Sequence, residues 1–245
     1  RDIGSKRVVE TAKRQQGASP LFANDLREVL EDKSVDIVSI ATPNHWHALA
    51  AIWSIQAGKD VYLEKPVSHN VSEGRRIVEA ARKYGRIVQT GTQSRSNPGM
   101  QAAVDYLHAN KLGKCRVARG LCYKRRKSIG AAGVFEPPKS VDYNYYLGPA
   151  PVQPVSRRQF HYDWHWQDAY GNGDLGNQGI HQMDLARWGL GINELSQNVF
   201  SYGGRFDYRD AGNTANTQVV VHDYGEQTLV FEVRGLETTE HRGAK

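Results

Sequence analysis

Asp60-Val61-Tyr62-Leu63-Glu64-Lys65-Pro66 is the stretch from which the fold is read. Residues 61–63 form a β-prone run that ends abruptly in an acid, a base and a proline. Proline has no N–H to give to a sheet ladder, so a central strand must stop there. Lys65 is thereby placed at the carboxyl end of a buried strand, the edge at which open α/β sheets hold their ligands. An amine at that edge can bind a substrate hydroxyl or, with its pKa lowered, move a proton. Taken alone, the tripeptide Glu64-Lys65-Pro66 reads more readily as a strand-end Lys-Pro turn with both charges in solvent. The neighbouring strands weigh against that.

Upstream lies Val35-Asp36-Ile37-Val38-Ser39-Ile40, a β-branched run ending at Ala41-Thr42-Pro43-Asn44. A helix over residues 46–57 follows and closes on Gly58. Downstream, Ser72 can cap a helix carrying Ile77, Val78, Ala80 and Ala81, and a strand over 87–90 ends at Gly91-Thr92-Gln93. Strand and helix alternate with short links, which predicts parallel βαβ units. The right-handed crossover rule puts the corners at Thr42, Lys65 and Gln93 on one sheet edge, where polar corners make a binding crevice. Before these come an amphipathic helix over 5–16, with Val8, Val9 and Ala12 on one side, and a helix over 25–31 that Asn24 can cap.

The pattern changes near residue 95, and a domain boundary is placed there, dividing 1–95 from 96–245. A helix over 98–110 leads to an extended run over 115–124. Residues 131–156, rich in Pro, Gly and Tyr, read as a long ordered loop. Residues 217–222 and 227–234 flank Asp223-Tyr224-Gly225 as an antiparallel hairpin.

A second constellation lies in Gly171-Asn172-Gly173-Asp174-Leu175-Gly176-Asn177-Gln178-Gly179-Ile180-His181-Gln182-Met183-Asp184. Read as one helix, Asn177, His181, Asp184 and Trp188 recur at i, i+4, i+7 and i+11 and share a stripe. So polar a stripe should face a cavity or another domain. Histidine titrates near neutrality and suits His181 to accept a proton from a hydroxyl; a ring bonded to loop backbone is the plainer reading. The aromatic run over 160–166 offers Trp164 and Trp166 as a stacking wall for a sugar, or as core filler. With Asp184 they are the candidate substrate-binding residues.

The 245 residues carry a net charge of +6, densest at Lys124-Arg125-Arg126-Lys127. No recognisable nucleic-acid module gathers that charge, so the cluster reads as a solvated strand end or as an attractor of an anionic cofactor or substrate. No run approaches the roughly 20 apolar residues of a membrane helix. Neither nucleic acid nor membrane is therefore expected as a partner. No signal peptide is visible, which leaves cytoplasmic and periplasmic or secreted locations open. Cys115 and Cys122 make no disulfide framework, and the histidines lack the short spacings of a closed zinc site. No metal is expected.

Ala41-Thr42-Pro43-Asn44-His45-Trp46-His47, the Glu64-Lys65-Pro66 strand end and Gly179-Ile180-His181-Gln182-Met183-Asp184 together resemble the glucose–fructose oxidoreductase / inositol dehydrogenase / MocA (Gfo/Idh/MocA) family over nearly the whole chain. The resemblance implies an α/β fold: an incomplete Rossmann-like parallel sheet domain, then an α+β domain with a largely antiparallel open sheet whose face often serves in oligomerisation. It implies an NAD(P)-dependent oxidoreductase acting on a sugar, cyclitol or related polyol, homo-oligomeric when complete. Thr42, Pro43, Asn44, His47, Glu64 and Gln93 would line the nicotinamide side of the cofactor site, with Lys65 beside them holding the reacting hydroxyl. The Lys65–Pro66 bond would be cis and His181 would be the proton acceptor or donor. Amine and imidazole, coming from different domains, would have to meet over one pocket. Asn177 stands where the family commonly has aspartate; an amide orients a hydroxyl but cannot take its proton, which leaves more to His181 and Lys65. Nothing before Thr42 matches G-x-G-x-x-G, so the chain is expected to be truncated at both ends. Two other functions fit the residues: glycoside cleavage through a keto-sugar with recycled NAD, and a non-catalytic sugar-binding or interaction fragment.

Overall fold

The computed structural model describes residues 3–237, with side chains from residue 9 onward. The chain falls into two compact units and passes between them more than once. Residues up to Thr90 join Val134–Ser156 in the first, and Gly91–Gly133 joins the residues from Arg157 in the second.

The first unit begins with α1 (Ile3–Gln16) and α2 (Leu26–Glu31). It then alternates β1 (Ile37–Ile40), α3 (Asn44–Gln56), β2 (Asp60–Leu63), α4 (Val71–Tyr84) and β3 (Val88–Thr90). β1 pairs with β2 and β2 with β3, all parallel, in a register that sets Ile40, Leu63 and Thr90 side by side. Parallel neighbours need a crossover, and the helical links supply it. Val38, Ile40, Val61 and Leu63 pack with Ala48, Ala51 and Ile55 of α3 and with Ile77 and Ala80 of α4. α3 carries no Lys, Arg, Asp or Glu, so none of its faces needs water, and most of it is buried.

Two caps differ from the sequence reading. Asp25, not Asn24, caps α2: its carboxylate accepts the Arg27 N–H at 2.8 Å and also holds the Arg27 guanidinium, a charge-assisted bond that an amide cannot match. Asn70, not Ser72, caps α4 by accepting the Glu73 N–H at 3.0 Å, while the Ser72 hydroxyl donates to that same Asn70 oxygen. The helix starts a residue earlier than Ser72 as a result.

The second unit starts with α5 (Pro98–His108) and β4 (Val117–Cys122). Between Val134 and Ser156 the chain is back in the first unit, where the stretch read as loop contains α6 (Tyr143–Leu147). It is pinned there by polar contacts. Tyr145 Oη accepts the Leu26 N–H at 2.9 Å, and the Tyr146 carbonyl accepts Trp46 Nε1–H at 2.9 Å. Gly148 lies so close to the Trp46 indole that a Cβ there would come within 2.3 Å of it.

Arg157 returns the chain to the second unit, which continues with α7 (Gly173–Asn177), α8 (Gly179–Gly189), β5 (Asn198–Gly204), β6 (Thr217–Asp223) and β7 (Thr228–Arg234). Its sheet has the order β4-β7-β6-β5, with β4 parallel to β7 and the other pairs antiparallel. The Asp223-Tyr224-Gly225 hairpin forms, with Gly225 at φ +82° and its N–H donating to Asp223 Oδ1 at 2.8 Å. β5 escapes the sequence reading because nearly all of it is exposed and no alternation of burial marks it. α8 is pressed onto the sheet: a Cβ on Gly179 would lie 2.2 Å from Phe231 Cζ and 2.9 Å from the Asp174 carbonyl oxygen.

Gly179→Ala should therefore destabilise the protein by about 1–3 kcal/mol through overpacking. In urea unfolding the midpoint should fall at constant slope, and adding Phe231→Leu should recover part of the loss.

Candidate functional site

The register of β1 and β2 decides which residues the first unit presents at its sheet edge. The Glu64 N–H donates to the Ile40 carbonyl at 2.9 Å, one residue past the end of β2, and then the chain turns through a cis Lys65–Pro66 bond. Opposite, β1 gives way to Thr42 and to Pro43, which sits at the N-cap of α3 ahead of buried Asn44. Buried His47, one turn into α3, ties the two corners together. Its Nε2 lies 2.8 Å from the Thr42 carbonyl oxygen and its Nδ1 2.6 Å from the Pro66 carbonyl oxygen. Thr42, Pro43, Asn44, His47, Glu64 and Lys65 are thus gathered at one edge of one sheet.

Two titrating groups here are shifted by burial. Lys65 is half-buried, and loss of hydration pushes its amine below the ordinary lysine value while the neighbouring Glu64 carboxylate pulls the other way. Glu64 is oriented by its own neighbour: its Oε2 accepts the Lys65 N–H at 3.1 Å. Burial likewise pushes His47 down, against the two carbonyls, which favour the cation. A neutral imidazole donates from one nitrogen only, so one of the two carbonyl contacts lacks a full hydrogen bond. Desolvation wins over the second bond because a buried cation costs more than a missed donor.

Thr42 and Pro43 also line a cavity of about 700 Å³ that runs along β1 from Val38 to its end, walled by Trp46, Tyr145 and Tyr146. Its exposed lining is largely apolar, with Asp25 and Asp142 among its polar groups, a make-up found in small-molecule pockets.

In the second unit, Gln93 is exposed at the start of a 3-10 turn (Gln93–Ser96). The single stripe from Asn177 to Trp188 does not form as one helix. Asn177 ends α7, and His181, Asp184 and Trp188 lie on α8, separated from it by Gln178 at φ −105°, ψ −40°. Gln178 stays in the right-handed region, so the interruption is a single distorted residue between the two helices. Asp184 and Trp188 both face Arg95: the guanidinium makes two bonds of 2.8 Å to the carboxylate and lies 5.1 Å from the indole centroid. The Gln178 carbonyl accepts the His181 N–H at 3.2 Å. Trp166 is buried, while half-buried Trp164 stacks on His165 with ring centroids 3.7 Å apart. Lys65 and His181 each belong to their own unit.

Sequence reasoning passed over Asp174. Buried in the first turn of α7, it takes three bonds of 2.9–3.2 Å from Arg126, whose guanidinium lies 5.1 Å from the Trp166 centroid. The signal was an acid flanked by glycines, a pattern that suits burial against a partner but does not name the partner. Burial pushes the Cys122 thiol up to about 11, which removes it as a nucleophile near neutral pH. Among the described residues no cluster of His, Cys, Asp and Glu could hold a metal, and no helix is long and apolar enough to cross a membrane.

Comparison with known proteins adds the family. The model of an oxidoreductase family with an NAD-binding Rossmann fold, GFO_IDH_MocA, matches residues 2–92, and that of its C-terminal alpha/beta domain matches residues 126–228. The chain belongs to the Gfo/Idh/MocA oxidoreductase family. Among relatives of this family, levoglucosan dehydrogenase of Pseudarthrobacter phenanthrenivorans is 27% identical over 169 residues, 69% of this chain and 36% of that protein. Inositol 2-dehydrogenase of Salmonella typhimurium is 31% identical over 101 residues, 41% of this chain and 30% of that protein. The WlbA dehydrogenase of Bordetella pertussis, solved with NADH and UDP-GlcNAcA, superposes with a TM-score of 0.69 at 20% identity over 96% of this chain and 58% of that one, a likeness of fold. The chain thus spans about a third of the length of the curated relatives it matches. Its first unit contains most of the family's NAD-binding Rossmann match, and Lys65 with its cis proline lies within that match.

The His47 strap has a pH signature. Because its folded pKa lies below the unfolded value of roughly 6.5, the unfolded chain takes up a proton that the folded one refuses. Its stabilising contribution is complete above that value and is lost as pH falls toward the folded pKa. Urea unfolding between neutral and mildly acid pH should show stability falling with acid, and His47→Gln should flatten the slope.

Proposed function

We propose that this protein is an NAD(P)-dependent oxidoreductase that transfers a hydride between a sugar, cyclitol or related polyol and nicotinamide. The observation that carries the reading is Lys65, a half-buried amine with a lowered pKa at the carboxyl end of a parallel strand. Support comes from a family of oxidoreductases and from relatives named for inositol and levoglucosan dehydrogenation. Glycoside cleavage and a non-catalytic role find no favour among those relatives.

The residues of the first unit fit a dinucleotide. The cavity beside Thr42 and Pro43 reaches the carboxyl end of β1, the edge where such sheets take nucleotides, and Trp46, Tyr145 and Tyr146 give it flat apolar walls. When bound, nicotinamide supplies the acceptor for the hydride. The chain's own residues do the rest. Thr42, Pro43 and Asn44 would hold the ring side of the cofactor, with His47 fixing the shape of both corners and Glu64 setting the backbone of Lys65; Gln93 would add a polar contact to it. Lys65 would hold the reacting hydroxyl, and desolvation, by lowering its pKa, would favour its taking part in the proton transfer. His181 would be the proton acceptor or donor, Asn177 would orient a hydroxyl, and Trp164, Trp166 and Asp184 would contact substrate.

Lys65→Ala and His181→Ala should each lower kcat/KM for NAD(P)+ reduction by polyols by roughly 10²–10⁴, read as NAD(P)H absorbance. Wild-type activity in either variant removes that residue from the mechanism. Burial favours the neutral amine, so the rising limb of log kcat/KM with pH should lie below the roughly 10.4 of a solvated lysine.

A further inference from the structure

The second unit contains a cleft of about 440 Å³ between the end of its first strand and the turn over residues 158–166. Arg125, Arg126, Lys127 and Arg158 line it, with Tyr162 and Trp166 as aromatic walls. The basic run that stood out in the sequence is thus folded against a cavity and is more than a solvated strand end.

The charges do not cancel. Arg126 is matched by Asp174 at 2.9 Å, and Ser128 donates to Asp210, which is itself bound by Arg205. Asp163 is the single acid among the lining residues; it is buried, and that burial raises its pKa. Arg125 and Lys127 make no ion pair among the described residues. Beyond the Arg126–Asp174 pair, Arg125 and Lys127 thus leave two cations at this concavity with no carboxylate bound to them among the described residues. Arg125 and Lys127 are exposed, so solvent screens them in part, but charges of one sign gathered round one concavity still raise the local positive potential, and a bound anion lowers it.

We propose that this cleft binds the anionic group, carboxylate or phosphate, of a small organic ligand. Charged hydrogen bonds from Arg125 and Lys127 would hold that group, since Arg126 is already engaged by Asp174. Tyr162, whose hydroxyl interacts with Arg126, and Trp166 offer aromatic faces, and the Asp163 carboxyl remains for a ligand hydroxyl, which suits an acidic or phosphorylated sugar. The cleft shares Trp166 with the oxidoreductase reading, but the two fail separately, because binding here is measured with no dinucleotide present.

The test is calorimetric titration of the protein at low ionic strength with glucuronate, glucose 6-phosphate, inorganic phosphate and glucose. Glucuronate or glucose 6-phosphate should bind at least about tenfold more tightly than glucose, the tighter of the two naming the anionic group, and added salt should weaken both. Arg125→Ser/Lys127→Ser should cost about tenfold in anion binding with an unchanged melting temperature. Glucose binding as tightly as the anions, no anion binding at all, or unchanged anion binding in the double variant each overturns the proposal. None of these outcomes depends on whether polyols reduce NAD(P)+.

Discussion

Parallel pairing in one register is the constraint on which the first unit depends. Ile40, Leu63 and Thr90 end level with one another, and whatever follows each strand must emerge at the same edge. That edge is where the chain places its proline corners, because a residue without an N–H can sit past the ladder at no cost in hydrogen bonds. A slip of one residue between β1 and β2 would turn Val61 and Leu63 from the core to the opposite face and carry Lys65 with them. The burial of Val38, Ile40, Val61 and Leu63 against α3 holds the register, so the site and the core are specified by the same contacts.

Within that frame, electrostatics and hydration pull in opposite directions. His47 joins the Thr42 and Pro66 carbonyls, and both would prefer an imidazolium; its burial disfavours one and pushes the pKa down. Lys65 meets the same contest in milder form, half-buried with Glu64 beside it. In both cases removal from water outweighs the polar neighbours, which leaves a rigid neutral strut next to an amine that loses its proton more readily than one in solvent. A site built this way gains acid–base range from burial that the core was already supplying.

The second unit is organised by close approach. α8 can rest on β7 only because residue 179 has no Cβ, and the Asp174–Arg126 pair anchors the loop that leads into that helix. The pair also settles which of the clustered cations are engaged and which are left to the cleft. An ion pair this buried is costly to desolvate, so its value lies in fixing the loop rather than in stabilising the fold outright.

Much of this was legible in the sequence. Strand, helix and turn in the first unit follow from local pattern, because β-branched runs, glycine stops and the strand-ending proline at Pro66 act through the backbone of their own neighbours. The hairpin at Asp223-Tyr224-Gly225 is legible for the same reason. What pattern could not supply are facts about distant residues. Nothing local distinguishes Asn24 from Asp25, or Ser72 from Asn70, as a cap. The helix read over Asn177 to Trp188 is interrupted at Gln178, a residue that no local pattern marks as a break. β5 has no buried face to mark it, and the Tyr-rich loop returns to the first unit through Tyr145 and Tyr146. The sequence by itself determined the alternation of elements and the position of Lys65 at a strand end, since those depend on neighbours in the chain. Only the tertiary structure decided the partners of His47, Asp174 and Asp184, because hydrogen bonds and ion pairs form between residues brought close in space.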